Sequence, residues 1–212
     1  MNIKNSNSKT MTINYLNFMK TTKFFIRAIF CLTLITSFSS CSSDDNNPKE
    51  VLEEELITNV TLTFTNDADA KDIVILASVA PDGQDGSSTE TITGSFTANA
   101  TYSLGLALTN ASENPADDVL NDDIIKEADE HFFTYAVSDI NLTMTRDSND
   151  LDGAEDSKLG VNTTWVASAA STGNIKIILT HKPTATDDAN EWGSATGGTE
   201  DLNITFTGVT IQ

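Results

Sequence analysis

Apolar and polar residues alternate with a period of two along most of this chain beyond residue 55, and threonine fills many of the polar positions. In residues 56–65 the apolar set is Leu56, Val60, Leu62 and Phe64. Successive side chains of a strand point to opposite faces, so this spacing predicts a strand with one buried face. Similar runs predict strands over 89–96, 101–109, 133–137, 140–145, 161–167, 175–181 and 201–211. Residues 72–79 form a more continuous apolar run, which suits a strand covered on both faces. The period changes once: over 115–132, Val119, Leu120, Ile124, Ala128 and Phe132 recur at helical spacing. Asp117 and Asp118 lie in its first turn, where negative charge suits a helix dipole, so one short acidic helix is expected. Turn-rich stretches at 81–88, 146–159 and 183–199 separate the runs. The expected fold is mainly β: a single antiparallel β-sandwich of about eight strands with that helix. An up-and-down barrel is the alternative.

The N-terminal part reads differently. Lys20, Lys23 and Arg27 precede an apolar run from residue 28 to 38, and Ser39-Ser40-Cys41 closes it. The run is too short to cross a bilayer as a helix, which takes about 20 residues. A charged start, a short apolar middle and small residues before a cut are the layout of a secretory signal. With a cysteine at the first position after the cut, it resembles a bacterial lipoprotein signal, although Phe38 stands where leucine is usual. The resemblance implies lipidation at Cys41, so residues 1–40 are read as signal, with Met19 as a candidate true start. Residues 41–51 are then an acidic tether, and 52–212 the folded domain. Ser42-Ser43-Asp44-Asp45 resembles the acidic export tag of Bacteroidota surface lipoproteins. It implies an outer-membrane anchor facing the cell surface, the periplasmic face being the alternative.

Composition narrows the partners. The chain carries 12 basic and 31 acidic residues, a net charge of −19. Five basic and no acidic residues fall within 1–40, so the remaining 172 residues hold seven basic and 31 acidic ones, for a charge of −24. Nucleic-acid binding is driven by lysine and arginine releasing counterions, so no nucleic-acid partner is expected. Cys31 leaves with the signal and Cys41 takes the lipid, so no disulfide is expected and the core must hold the fold.

Few residues bear recognisable chemistry. Glu127 and His131 are four apart on the expected helix, and His181 ends a strand. Imidazole with carboxylate suits zinc or a similar divalent ion, so Glu127, His131 and His181 are candidate metal ligands. Asp147, Asp150 and Asp152 lie in an oxygen-rich loop with Gly153, a candidate calcium site, though Leu159 occupies the position where an EF-hand needs glutamate. Trp165 is expected in the core, and Trp192, in a glycine-rich loop, is a candidate ligand-binding residue. No nucleophile-elbow pattern is present, and the chain is read as non-catalytic, with a hydrolase as alternative.

The domain also resembles a group of short, acidic Bacteroidota lipoproteins of unknown function. The likeness rests on residues 53–58, Asn110-Ala-Ser-Glu-Asn-Pro115, Glu130-His131, Thr180-His-Lys-Pro183 and the ending Val209-Thr-Ile-Gln212. Such proteins are often labelled with a type 1 periplasmic-binding fold, which would alternate strands and helices over a longer chain. Some relatives occur beside TonB-dependent receptors. The resemblance therefore implies a ligand- or receptor-binding envelope module, with nutrient uptake as its setting and a TonB-dependent receptor as partner. A divalent-metal-capturing lipoprotein is the alternative.

Overall fold

The structure is a computed structural model that describes residues 55–83 and 86–212. The signal, Cys41 and the tether lie outside the described residues. Among the described residues there are eleven strands: β1 (Asn59–Asn66), β2 (Ile73–Val79), β3 (Thr89–Thr93), β4 (Thr101–Thr109), β5 (His131–Ser138), β6 (Leu142–Arg146), β7 (Thr163–Ala167), β8 (Ser171–His181), β9 (Ala185–Asp187), β10 (Ser194–Thr196) and β11 (Thr199–Ile211). They form a six-stranded sheet ordered β3-β2-β1-β4-β7-β6, a three-stranded sheet ordered β11-β8-β5, and the small hairpin β9-β10. The named pairings are antiparallel, and the sheets do not close into a barrel. The expected β-sandwich is the fold.

The period-two pattern accounts for the layers. In β1, Val60, Leu62 and Phe64 are buried while Thr61, Thr63 and Thr65 face outward. Its central place follows from its register: Leu62 lies between Leu76 of β2 and Leu106 of β4, and Phe64 between Val74 and Leu104. Burying one face of the longer strands brings the six-stranded and three-stranded sheets together over an aromatic centre. Trp165 stands edge-on to Phe64 and Tyr135, with ring centroids 5.2 and 5.6 Å apart. Phe96 packs likewise on Phe64 and Tyr102 at 5.1 and 4.9 Å. Such pairs add about 0.5–1.5 kcal/mol each beyond area burial. On one side the sheets are joined where Phe96 N–H donates to Thr210 O and Gln212 N–H to Phe96 O, each at 2.9 Å.

The expected helix over 115–132 is replaced by two short turns, a π-helical one at Leu120–Ile124 and a 3₁₀ one at Ala128–Glu130. Val119, Leu120 and Ile124 are buried, as the stripe requires, but a single wide turn suffices to bury them. Aspartates at 118, 122 and 123 are poor helix-interior residues, and neither turn has a side-chain cap. Residues 131 and 132 are instead taken into β5, whose ladder to β8 runs from His131 to Ser138. The hairpin β9-β10 arises within the stretch 183–199 read as loop.

Two local features carry expectations of their own. A Cβ on Gly173 of β8 would run into the backbone of Ser138, Asp139 and Ile140. Gly173→Ala is therefore expected to cost about 1–3 kcal/mol, as overpacking does. A denaturant midpoint left unchanged would contradict that close approach. At the β1–β2 corner, Asp72 accepts hydrogen bonds from Asn66 Nδ2 (2.7 Å), Tyr102 OH (2.8 Å) and Thr97 Oγ1 (2.9 Å). Burial pushes its carboxyl up, but the three donors outweigh burial and hold it below its ordinary value. A depressed carboxyl contributes stability above its unfolded pKa of about 3.9, which is lost as pH falls through the folded value. In a carboxyl NMR titration, Tyr102→Phe should move the Asp72 midpoint upward; an unmoved midpoint would remove the tyrosine from the account.

Candidate metal centre

His131 opens β5 and His181 closes β8, and the two are directly opposite in the ladder. Opposed residues share a face, here the inner face of Phe133 and Leu179 two positions on. The imidazoles are stacked, 4.8 Å between centroids and 11° between planes. Asp201 joins them from β11 through an irregularity in register: Glu200 pairs with Thr180 and Leu202 with Leu179, leaving Asp201 as an extra residue. Such a bulge re-aims a side chain. Asp201 and Leu202 are consecutive, yet both are buried, at 1% and 3% exposure. The fourth member, Glu55, comes from the segment before β1, its side chain only 12% exposed.

One ligand-capable atom from each of Glu55, His131, His181 and Asp201 can be chosen so that all lie within 4.8 Å of one another. His131 Nε2 is 3.3 Å from Glu55 Oε1 and 4.0 Å from Asp201 Oδ2. The approach to Glu55 brings the charges together without a directed hydrogen bond, for Nε2 has no hydrogen-bond partner.

The outer nitrogen of each imidazole is engaged. His131 Nδ1 is 2.9 Å from the Glu127 carbonyl, which can only accept, so Nδ1 carries the proton. His181 Nε2 is 3.1 Å from Glu130 Oε2 and donates to it. Lys182 Nζ stands 3.1 Å from the same oxygen, and these two donors hold the Glu130 carboxyl below its ordinary value. What remains toward the centre is His131 Nε2 and His181 Nδ1, both buried without a hydrogen-bond partner, as is Glu55 Oε2.

Charge is concentrated here. Burial pushes the Glu55 carboxyl up, but pairing with His131 prevails and holds it well below the usual range. Burial pushes His131 down, and the Glu55 carboxylate more than reverses that, so its pKa is raised. Half-exposed Asp123 is pushed up by burial and by the nearby charges of Asp117 and Glu55.

The arrangement fits a divalent ion on three grounds. Metal-ligating histidines usually donate their other N–H to a carboxylate or a backbone carbonyl, and one of each is present here. Two neutral imidazoles and two carboxylates sum to −2, which a divalent cation cancels. The donor types suit zinc or a neighbouring first-row ion better than magnesium or calcium. Bonds of about 2.0–2.1 Å in a tetrahedron need donor separations near 3.4 Å. Side-chain rotations must therefore close the widest gap, now 4.8 Å at most, by up to about 1.4 Å.

The residues singled out from sequence fare unevenly. His131 and His181 meet, but the Glu127 side chain does not join them: it is exposed, and its carbonyl is what contacts His131. The four-residue spacing implied a shared helix face, whereas residue 131 is already in a strand. Asp201 escaped notice because alternation with Leu202, Ile204 and Phe206 assigns it outward, and only the bulge reverses that. Glu55 carried no signal beyond its place in an acidic run before β1.

The candidate calcium ligands do not converge. Asp147 accepts from Thr164 Oγ1 (2.8 Å) and Asp152 pairs with Lys158 Nζ (2.7 Å). Asp150 accepts from the N–H groups of Gly160 (2.7 Å), Val161 (3.1 Å) and Asn162 (2.9 Å). Among the described residues the Glu55–His131–His181–Asp201 group is the one cluster of such side chains close enough to share an ion. Trp192 is half-buried on the core, 5.7 Å from the Trp165 ring, rather than standing out from its loop. Cys41 lies outside the described residues.

Comparison with protein-family profiles, with curated proteins and with solved structures finds no match.

Proposed function

We propose that this protein is a lipid-anchored, non-catalytic envelope module that holds one divalent transition-metal ion, with zinc as the best fit. One observation carries the reading. Two buried imidazoles have their outer nitrogens already donating, and their inner nitrogens lack hydrogen-bond partners beside two carboxylates. Four protein donors make a closed site, whereas catalytic zinc keeps a position open for water or substrate. The chemistry is thus holding rather than turnover. The signal-like segment and Cys41 support the anchor, the outer membrane its location, and a TonB-dependent receptor remains the partner suggested by resemblance.

Elemental analysis of the full chain, dialysed after zinc loading, should find one zinc per chain; none would refute the reading. Affinity should fall as pH drops through the imidazole range, because protons compete for the same lone pairs.

A second reading, a ligand- or receptor-binding module independent of metal, draws on a small cleft of about 100 Å³ whose lining includes Ile57, Val60, Ala80 and Leu202. A small-molecule complex seated there in zinc-free protein would favour it.

A further inference from the structure

We propose, resting on the metal reading above, that the ion works as a latch: Glu55 closes the site, and the strap of residues 55–58 lifts to let metal exchange. Three of the four donors come from one sheet. His131, His181 and Asp201 sit on β5, β8 and β11, held by the ladders that pair those strands. Glu55 alone is supplied from outside any strand.

The strap is stitched to the other sheet through its last residue. Thr58 N–H donates to Thr109 O (3.0 Å), Ala80 N–H donates to Thr58 O (2.8 Å), and Ala111 N–H donates to Thr58 Oγ1 (2.8 Å). Upstream of Thr58, side chains supply the contacts. Ile57 is buried at 4% exposure, and Leu56 lies against Gly83, where a Cβ would otherwise sit, yet remains 45% exposed. Glu55 reaches across to the three-stranded sheet, with Oε1 near His131 and Oε2 buried without a hydrogen-bond partner.

Two coordination states follow. With the strap down, four protein donors enclose the ion. With it lifted, two imidazoles and Asp201 still hold the ion but leave one position open, the arrangement that admits an exchanging ligand. His131 and His181 are 0% and 3% exposed, so an ion among them has no ready exit while Glu55 is in place. Linkage makes the coupling reciprocal: what zinc adds to strap closure, closure adds to zinc affinity, with factors of about 5–150 typical of such coupling. Loss of metal would loosen residues 55–58.

The test is hydrogen exchange read by mass spectrometry on the full chain, with zinc chloride and after chelation. In the wild type, zinc should slow exchange of the amides of residues 56–58 at least tenfold. Glu55→Gln should abolish that difference, bind zinc more weakly and release it to a chelator faster, while β5, β8 and β11 stay protected. Glu55→Asp, one methylene shorter, should behave similarly and guards against a folding defect in the first variant. If zinc binds the wild type but leaves strap exchange unchanged, or if Glu55→Gln keeps the zinc-dependent protection, the latch is wrong and the metal site stands. If zinc does not bind the wild type, the site fails and the latch with it.

Discussion

Zinc is expected to raise the melting temperature of the metal-stripped chain by about 5–10 °C at a hundredfold excess over its dissociation constant, and His131→Ala should abolish the rise. A ligand that binds only the folded state stabilises it by about 2.7 kcal/mol at that excess. For chains of 150–250 residues each kcal/mol shifts the melting temperature by roughly 2–4 °C. His131 is the most telling position because its Nε2 lies close to both Glu55 and Asp201 and its side chain is wholly buried. Removing it takes away a donor and leaves Glu55 without its charge partner. The variant should therefore start from a lower melting temperature as well, since breaking one side of a buried pair costs about 3–5 kcal/mol. The two effects separate cleanly. A histidine that only packed and paired charge would lower the baseline, and the zinc increment would persist. His181→Ala should lose the increment too, through the lone pair on Nδ1. A zinc increment that survives both substitutions would place the ion elsewhere.

The second large effect is expected at Asp150, away from the metal centre. Its carboxylate receives three successive backbone N–H groups, from Gly160, Val161 and Asn162, and the residue is 4% exposed. It organises the turn that feeds β7 and brings the Gly160 carbonyl to the buried Tyr135 hydroxyl, 2.7 Å away. Hydrogen bonds to a charged group contribute about 1.5–3 kcal/mol each, and orphaned buried donors cost a further 1–3 kcal/mol. These terms are not additive, and Asp150→Ala should cost about 3–5 kcal/mol in urea unfolding. Asp150→Asn should fall between it and the wild type, because the amide keeps one acceptor but turns an N–H toward another donor. Millimolar calcium should leave the wild-type midpoint unchanged, since the carboxylate oxygens already face backbone donors. A calcium-dependent rise lost in Asp150→Asn would revive the ion-binding loop.

The chemistry near residue 131 shows why a site can be half legible. Two histidines in an acidic, cysteine-poor domain are conspicuous, and His181 at a strand end with His131 at the end of the expected acidic helix suggested a shared ion. Glu127 does not meet them, because a four-residue spacing places two side chains on one face only on a helix, and the β5–β8 ladder takes residue 131 into a strand. The oxygen-rich loop misled in the opposite way. Its composition suits a cation, but composition does not say that Asp150 points at backbone N–H groups and Asp152 at Lys158.

What the sequence determined by itself is what near neighbours along the chain decide. Alternation of threonine with Val, Leu, Ile and Phe specifies which face of most strands is buried, and with it an antiparallel β-fold with Trp165 in its core, while sandwich and barrel were separated only by the structure. The tertiary structure alone decided which distant residues share a point in space. Glu55 and Asp201 meet the histidines because the ladders bring strand ends together and one extra residue in β11 turns a carboxylate inward. Burial preference is a local property of the pattern, whereas register, and therefore the convergence of donors, exists only once strands pair.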